Sequence, residues 1–272
     1  MSAEAQPYLH FAPRPESVAW RVHASPVTLL GGIRALMIQA LLPAAMAGVA
    51  DHSNYQHDVW GRLNRTRDFI LTMVYGDEEA AADSAARVRR VHSRVVGVDR
   101  VTGLPYHAND GDLLLWVHSV LVESFLVADQ TYGHRLSPPE TGRYVAEMMR
   151  QGVLLGLHPE EVPHDLEQLE SVLRGYDQRL LLTPAAEEAM HVFEHPPLPR
   201  AAQPAWRFIF AASAGLLPPV ALQLYGRRHT RVPDPVLQLG VRLGATLAHT
   251  LGKPPPVLRA ARTRALAAGI RL

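Results

Sequence analysis

A short segment of the sequence places two arginines, a threonine and an aromatic ring at helical spacing. These residues recur at positions i, i+3, i+4 and i+7 and so share one face of a predicted helix: Arg62, Arg65, Thr66 and Phe69. Guanidinium groups bind carboxylates and other anionic oxygens through paired hydrogen bonds. The face therefore has two interpretations: it binds an anionic or oxygen-bearing ligand, or its arginines pair with carboxylates of neighbouring helices.

Two histidines stand within apolar helical patterns. His92 continues the stripe that includes Ala81 and Ala85, and His118 lies in the middle of the most apolar predicted helix. A neutral imidazole can bind haem iron or another metal, but a histidine on an apolar face is also often a hydrogen-bonded core residue. For His118 two roles stay open: a second pocket histidine, or a hydrogen-bond partner of a buried carbonyl or of Glu123.

Composition excludes several kinds of chemistry. The chain of 272 residues has no cysteine, which rules out disulfides, thiolate nucleophiles, iron–sulfur clusters and thiolate-bound haem. Its only lysine, Lys253, stands in a proline-rich segment and is a poor candidate for a Schiff base. Glycine-rich nucleotide loops, GxSxG and HExxH motifs are absent as well. A bound metal would therefore use histidine, carboxylate or tyrosine.

Charge and hydropathy bear on the possible partners of the protein and on its compartment. A formal net charge of +1 gives no basis for a nucleic-acid partner. Residues 1–17 form an extended segment without the apolar stretch of a secretory signal. Residues 29–50 could reach across a membrane, but they contain Arg34 and Pro43, so a buried core helix is favoured. We expect a cytoplasmic protein with no stable membrane insertion.

Three predicted helices carry the candidate residues. Each begins at a side chain that can cap a helix and ends near a glycine. They run from Ser53 to Tyr75, from Asp77 to a stop at Gly97, and from Asp110 or Asp112 to Tyr132.

Helical patterns continue through the rest of the chain, and strand patterns are almost absent. Ser137 and Glu140 form a capping box that opens a helix to about Leu155. Further helices are predicted at His164–Leu182, Pro184–Phe193, Ala201–Leu217, Pro235–Leu251 and Pro256–Ala268. Residues 94–101 form the nearest approach to a strand. We therefore predict one all-α, bundle-like domain over residues 1–272, with residues 253–272 as a proline-capped C-terminal helix.

The order of the motifs resembles a known family. They are Trp20-Arg21-Val22-His23, Leu30-Gly31-Gly32-x-Arg34, His52-Ser53, Gly61-Arg62-Leu63-x-Arg65-Thr66, Val91-His92, Trp116-Val117-His118 and Tyr132-Gly133. This succession is similar to the catalytic domain shared by MpaB-type oxygenases and latex-clearing rubber oxygenases. The similarity is good over residues 20–157 and looser beyond them.

This resemblance implies an all-α fold around haem b, with His92 as the proximal iron ligand. His118 remains a candidate for a second contact with the haem. The resemblance also implies that Arg62, Arg65 and Thr66 line the distal side. The rubber oxygenases have a lysine where Arg65 stands, and an arginine, which stays protonated, is a poor reversible iron ligand. The family's histidine before Pro43 is replaced here by Leu42.

The residues and the resemblance together predict a haem b-dependent oxygenase. Its partners would be O2 and a small apolar substrate, with oxidative cleavage at a carbon–carbon double bond. Arg62 or Arg65 would stabilise developing negative charge on oxygen, and Thr66 would donate a hydrogen bond. The alternatives are a peroxidase-like haem enzyme, a non-catalytic haem carrier or sensor ligated by His92 and His118, and a helical interaction protein.

Overall fold

In the computed structural model, residues 15–226, 234–251 and 254–269 are described. They form thirteen α-helices and one antiparallel β-hairpin, so the all-α prediction is confirmed. The first half contains α1 (Val18–Ala24), α2 (Thr28–Gln39), α3 (Pro43–His52), α4 (Val59–Tyr75), α5 (Glu78–His92), β1 (Val96–Val98), β2 (Pro105–His107), α6 (Gly111–Tyr132) and α7 (Pro138–Leu155). The second half contains α8 (Leu166–Tyr176), α9 (Pro184–Glu194), α10 (Gln203–Ala214), α11 (Pro219–Leu224), α12 (Asp234–Leu251) and α13 (Pro256–Ala267).

Side-chain caps begin the helices that position the candidate site. Asp58 accepts a hydrogen bond from the Gly61 amide at the start of α4, and Asp77 accepts one from Ala80 at the start of α5. Each cap satisfies an amide that the first helical turn leaves unpaired. The predicted capping box of Ser137 and Glu140 is present at α7. The ends of these helices are thus specified locally.

The core is built around α6, whose buried side chains face several other helices. Trp116 and Phe125 of α6 belong to one hydrophobic cluster that extends from α1 to α13. Helix α2 crosses α6 so closely that a methyl group on Gly31 would lie 2.8 Å from the Ser124 carbonyl oxygen. Glycine at this position lets the two backbones approach.

A buried ion pair fixes the same crossing. The guanidinium of Arg34, 1% exposed, contacts both carboxylate oxygens of Glu123, one of them at 2.8 Å, and donates to the Ser124 hydroxyl at 2.6 Å. It also donates to the Leu216 carbonyl at 2.7 Å. Burying an arginine requires partners for its charge and its donors. Glu123 is therefore bound to Arg34, and the suggested hydrogen bond between Glu123 and His118 is absent among the described residues.

Several predicted boundaries were wrong. The stretch 29–50 is two helices, α2 and α3, bent by 102°, because Pro43 cannot continue the helix before it. The arginine-bearing helix starts after Asp58 and not at Ser53. Helix α5 ends at His92, and Gly97 lies in β1, where a side chain would meet the Tyr106 ring. The double proline after α10 starts an additional helix, α11.

Two regions are long enough and apolar enough to cross a membrane. They are α6, of which 61% of the most apolar window is buried inside the fold, and the bent pair of α2 and α3. Core helices of soluble proteins share these properties, so length and composition alone assign no membrane span.

Parts of both predicted terminal segments are outside the described residues. Of the N-terminal segment, residues 1–14 are not among them, and Ser17 caps α1. At the other end, Pro256 opens α13 as its first residue, whereas Lys253 and residues 270–272 are outside the described ranges.

Candidate functional site

His92 is the last residue of α5, and its ring is partly buried. The Nδ1 atom is buried and has no hydrogen-bond partner among the described residues. Burial is the largest cause of a lowered pKa for His92; hydrogen bonding with the Ala108 backbone and the Asn109 side chain opposes it, while the charges of His107 and Arg62 lower the pKa further. A histidine with a lowered pKa is neutral near pH 7, which is the form that binds metals.

Arg62 occupies the side of α4 that faces this histidine. Its guanidinium donates a 2.9 Å hydrogen bond to the Ser53 hydroxyl in the segment between α3 and α4. Burial lowers the pKa of Arg62, the charge of Arg65 lowers it further, and Tyr55 raises it. Within the described ranges no Asp or Glu forms an ion pair with Arg62. A partly buried cation without a carboxylate partner can accept an anionic ligand.

Arg65 and Thr66 make different contacts from Arg62. The guanidinium of Arg65 donates to the Asp58 carboxylate at 3.1 Å, and the Arg65 side chain is 69% exposed. The Thr66 hydroxyl donates to the Arg62 carbonyl one turn earlier at 3.1 Å. Phe69, further along the face, packs against the hydrophobic core. The four residues share one side of the helix as predicted. Of the two arginines, only Arg62 has no carboxylate partner among the described residues.

The β-hairpin packs against α3 beside His92, and the alternation of its residues indicated it only weakly. Tyr106 donates to the Asp51 carboxylate at 2.9 Å, and its ring packs beside Gly48 of α3. A ring nitrogen of His52 lies 3.1 Å from the Val96 carbonyl oxygen. These contacts attach the hairpin to α3 and bring the residues after β2 against the His92 ring. The alternation in residues 94–101 was the only local signal, because the partners of the hairpin lie far away in sequence.

His118 is deeply buried on α6. It is 2% exposed, its Nδ1 has no hydrogen-bond partner among the described residues, and burial alone lowers its pKa to about 4. The structure places His92 within electrostatic reach of Arg62, with Thr66 one turn further along α4, and buries His118 in α6.

Two surface grooves lie elsewhere on the fold. One, of about 440 Å³, is lined mainly by apolar residues, with Gln130, Thr131 and Thr141 as polar members. The other, of about 370 Å³, lies beside Glu161 and His164. In the part of the chain that the structure describes, no group of three or more His, Asp or Glu side chains could hold a metal ion. Haem does not need a group of three ligands, because one or two side chains ligate its iron.

Comparison with known protein families identifies the family of this chain. Residues 20–272 match the family described as "ER-bound oxygenase mpaB/B'/Rubber oxygenase, catalytic domain". The chain belongs to this family. The match includes the second half of the chain, where the resemblance in the sequence was loose, and it confirms the predicted family. No curated protein and no solved structure matches the chain.

Membership makes this protein an oxygenase-family catalytic domain, and an oxygenase uses O2 together with a substrate. The Arg62-x-x-Arg65-Thr66 segment and His92 lie inside the matched range, on helices α4 and α5. The candidate site in this domain is thus a partly buried histidine and arginine from α5 and α4, beside the residues that follow β2.

Proposed function

We propose that the protein is a haem b-dependent oxygenase in which His92 is the proximal iron ligand. One observation carries the proposal: a partly buried, neutral histidine with an unpartnered Nδ1 lies beside an arginine that has no carboxylate partner. A buried polar atom without a partner is costly, and a ligand bound in the site would relieve that cost. Haem fits this pair because its iron takes an imidazole and its propionates are anionic.

The residues of the site would then have separate roles. When bound, haem would supply the activation of O2. Arg62 would hold an anionic oxygen, either of a propionate or of the reacting group, and Ser53 would orient its guanidinium. Thr66 would hold a proton or a water after its hydroxyl leaves the Arg62 carbonyl. Arg65 would act there only after leaving Asp58, and we assign it a minor role.

The proposed substrate is a small apolar molecule with a carbon–carbon double bond. Support comes from the family description, which includes rubber oxygenases, because rubber is an apolar polymer rich in such bonds. We propose oxidative cleavage at that bond, with O2 as the oxidant. A peroxidase-like enzyme or a haem carrier would share the same histidine and arginine, so turnover has to distinguish the three.

An absorption spectrum of the purified, haem-reconstituted protein tests the cofactor first. The parent and His118→Asn should show a strong Soret band, and His92→Ala should lose it while keeping its helical circular dichroism. A parent protein without a Soret band after haem addition would overturn the proposal. So would full haem loading of a folded His92→Ala.

O2 consumption with squalene as an alkene probe tests the reaction. The oxygenase proposal requires O2 uptake and carbonyl products in the parent protein, both lost in His92→Ala. Turnover of phenols with H2O2 and no alkene-dependent O2 uptake would assign a peroxidase-like function instead. Haem without either turnover would assign a carrier or sensor.

A further inference from the structure

Exposed apolar side chains are concentrated beside the site. Five lie between residues 91 and 104: Val91 (63% exposed), Val96 (48%), Val98 (57%), Val101 (53%) and Leu104 (62%). Elsewhere in the described residues, the exposed large apolar side chains are spread from α2 to α13. Single exposed apolar residues are common on soluble proteins, but a group of this size indicates a binding surface.

The hairpin presents these side chains outward on a fixed framework. Gly97 and Tyr106 form a cross-strand pair that faces α3, so Val96 and Val98 project from the opposite face. At the turn, the carboxylate of Asp99, which is 3% exposed, accepts hydrogen bonds from the Val101 and Thr102 amides and from the Thr102 hydroxyl. The only acidic side chain of the hairpin is thus used inside the turn.

The charge around this surface is mainly positive. Exposed arginines occupy the last turns of α5, the residues after it and the hairpin turn: Arg87, Arg90, Arg94 and Arg100. The acidic residues nearby are Asp99, which is buried, Asp51, and Asp110, which lies 3.5 Å from His107. Arg100 is 88% exposed in its side chain and lies 3.5 Å from Asp51, its one ion-pair partner among the described residues. Exposed apolar side chains with several arginines nearby fit a surface that is negatively charged outside and apolar below.

We propose that the hairpin and the end of α5 dock on the surface of an anionic lipid bilayer. Val98, Val101 and Leu104 enter the boundary between headgroups and acyl chains, and the arginines bind lipid phosphates. His92 ends α5 at the edge of this surface, and the residues just after β2 contact its ring. The docked orientation therefore places His92 and the end of α5 near the membrane. In one respect this rests on the proposed function: an apolar substrate would reach the site from the lipid phase.

Vesicle co-sedimentation tests the docking directly. The haem-loaded protein should sediment with vesicles of phosphatidylglycerol and phosphatidylcholine, and much less with phosphatidylcholine alone. Val101→Ser combined with Leu104→Ser should weaken binding by about tenfold or more, because two large apolar side chains no longer enter the bilayer. The matched control is Leu239→Ser combined with Leu243→Ser on α12, whose side chains are 60% and 62% exposed. This control should bind as the parent does.

The arginines are tested in the same assay. Arg94→Gln combined with Arg100→Gln should weaken binding to anionic vesicles severalfold, whereas Arg242→Gln combined with Arg259→Gln should not. Raising the salt concentration should weaken binding of the parent protein.

Three outcomes would overturn the proposal: no sedimentation with anionic vesicles, equal loss in the α12 control, or a dimer that the tip substitutions dissociate. The third would assign the surface to a second copy of the chain. The Soret band and the circular dichroism of the tip variant should match those of the parent. Failure of the docking therefore remains distinguishable from failure of the haem proposal.

Discussion

The positive charge of Arg62 lies close enough to His92 to lower the pKa of its imidazole, although the two residues belong to different helices. Arg65, one turn further along α4, pairs with Asp58 and is largely exposed. The two arginines therefore differ in function, although the sequence places them on one helical face.

Arg62→Gln and Arg65→Gln should separate these roles. The Arg62 variant should lose alkene-dependent O2 turnover on the order of 10²-fold, the range found when a single oxyanion donor is removed. The Arg65 variant should stay within about twofold of the parent, because its side chain is 69% exposed. Initial rates at saturating O2 provide the measurement.

The free energy of unfolding of both arginine variants provides the control for the comparison of their turnover. Because Arg65 and Asp58 form an exposed pair, removing it should change the free energy of unfolding by less than about 1 kcal/mol. Equal loss of turnover in both arginine variants would show that the arginine-bearing face acts as a unit and would contradict the structural distinction.

The sequence predicted most helix starts because their signals are local. Asp77 and the Ser137–Glu140 box lie within one turn of the amides that they cap, so type and spacing identify them. The helical period likewise predicted that Arg62 and Thr66 share a side of α4. Family resemblance added the association of that side with His92.

The sequence did not predict features that depend on distant partners. The hairpin is attached to α3 by Tyr106 and Asp51, which stand in separate segments, so its short strands had little local signal. Ser53 has a suitable side chain for a helix cap, but it accepts from Arg62, and Asp58 caps the helix. The burial of His118 in α6 depends on packing against distant helices, which no local signal reveals.

Gly31 and Gly32 provide a matched test of the α2–α6 crossing. A methyl group at Gly31 would lie 2.8 Å from the Ser124 carbonyl oxygen, whereas at Gly32 the nearest atom would be 3.9 Å away. Gly31→Ala should therefore lower the free energy of unfolding by about 1–3 kcal/mol. Gly32→Ala should raise it by up to about 1 kcal/mol, since alanine favours the helix. Urea unfolding followed by circular dichroism measures both, and a stable Gly31→Ala would show that the helices separate easily.

Two buried histidines should make the protein less stable in mild acid. Burial lowers the pKa of His118 to about 4, and it lowers that of His23 to about 4 against the opposing charge of Asp129. The ring of His23 also lies 3.2 Å from the Tyr144 hydroxyl. In the unfolded chain both rings have the ordinary pKa near 6.5. Between pH 6.5 and 4 the unfolded state therefore binds more protons, so stability falls as the pH falls through that range and is unaffected by these groups above it.

The size of this pH effect depends on how many more protons the unfolded state binds than the folded state. Each histidine can contribute a slope of up to about 1.4 kcal/mol per pH unit. Urea unfolding at pH 7.5 and pH 5 should show the loss in the parent protein. His23→Gln, which removes a titratable group outside the proposed site, should lose less free energy over the same interval even if it is less stable at pH 7.5. An identical loss in parent and variant would mean that His23 is already solvated in the folded state, and the buried contact with Tyr144 would then be wrong.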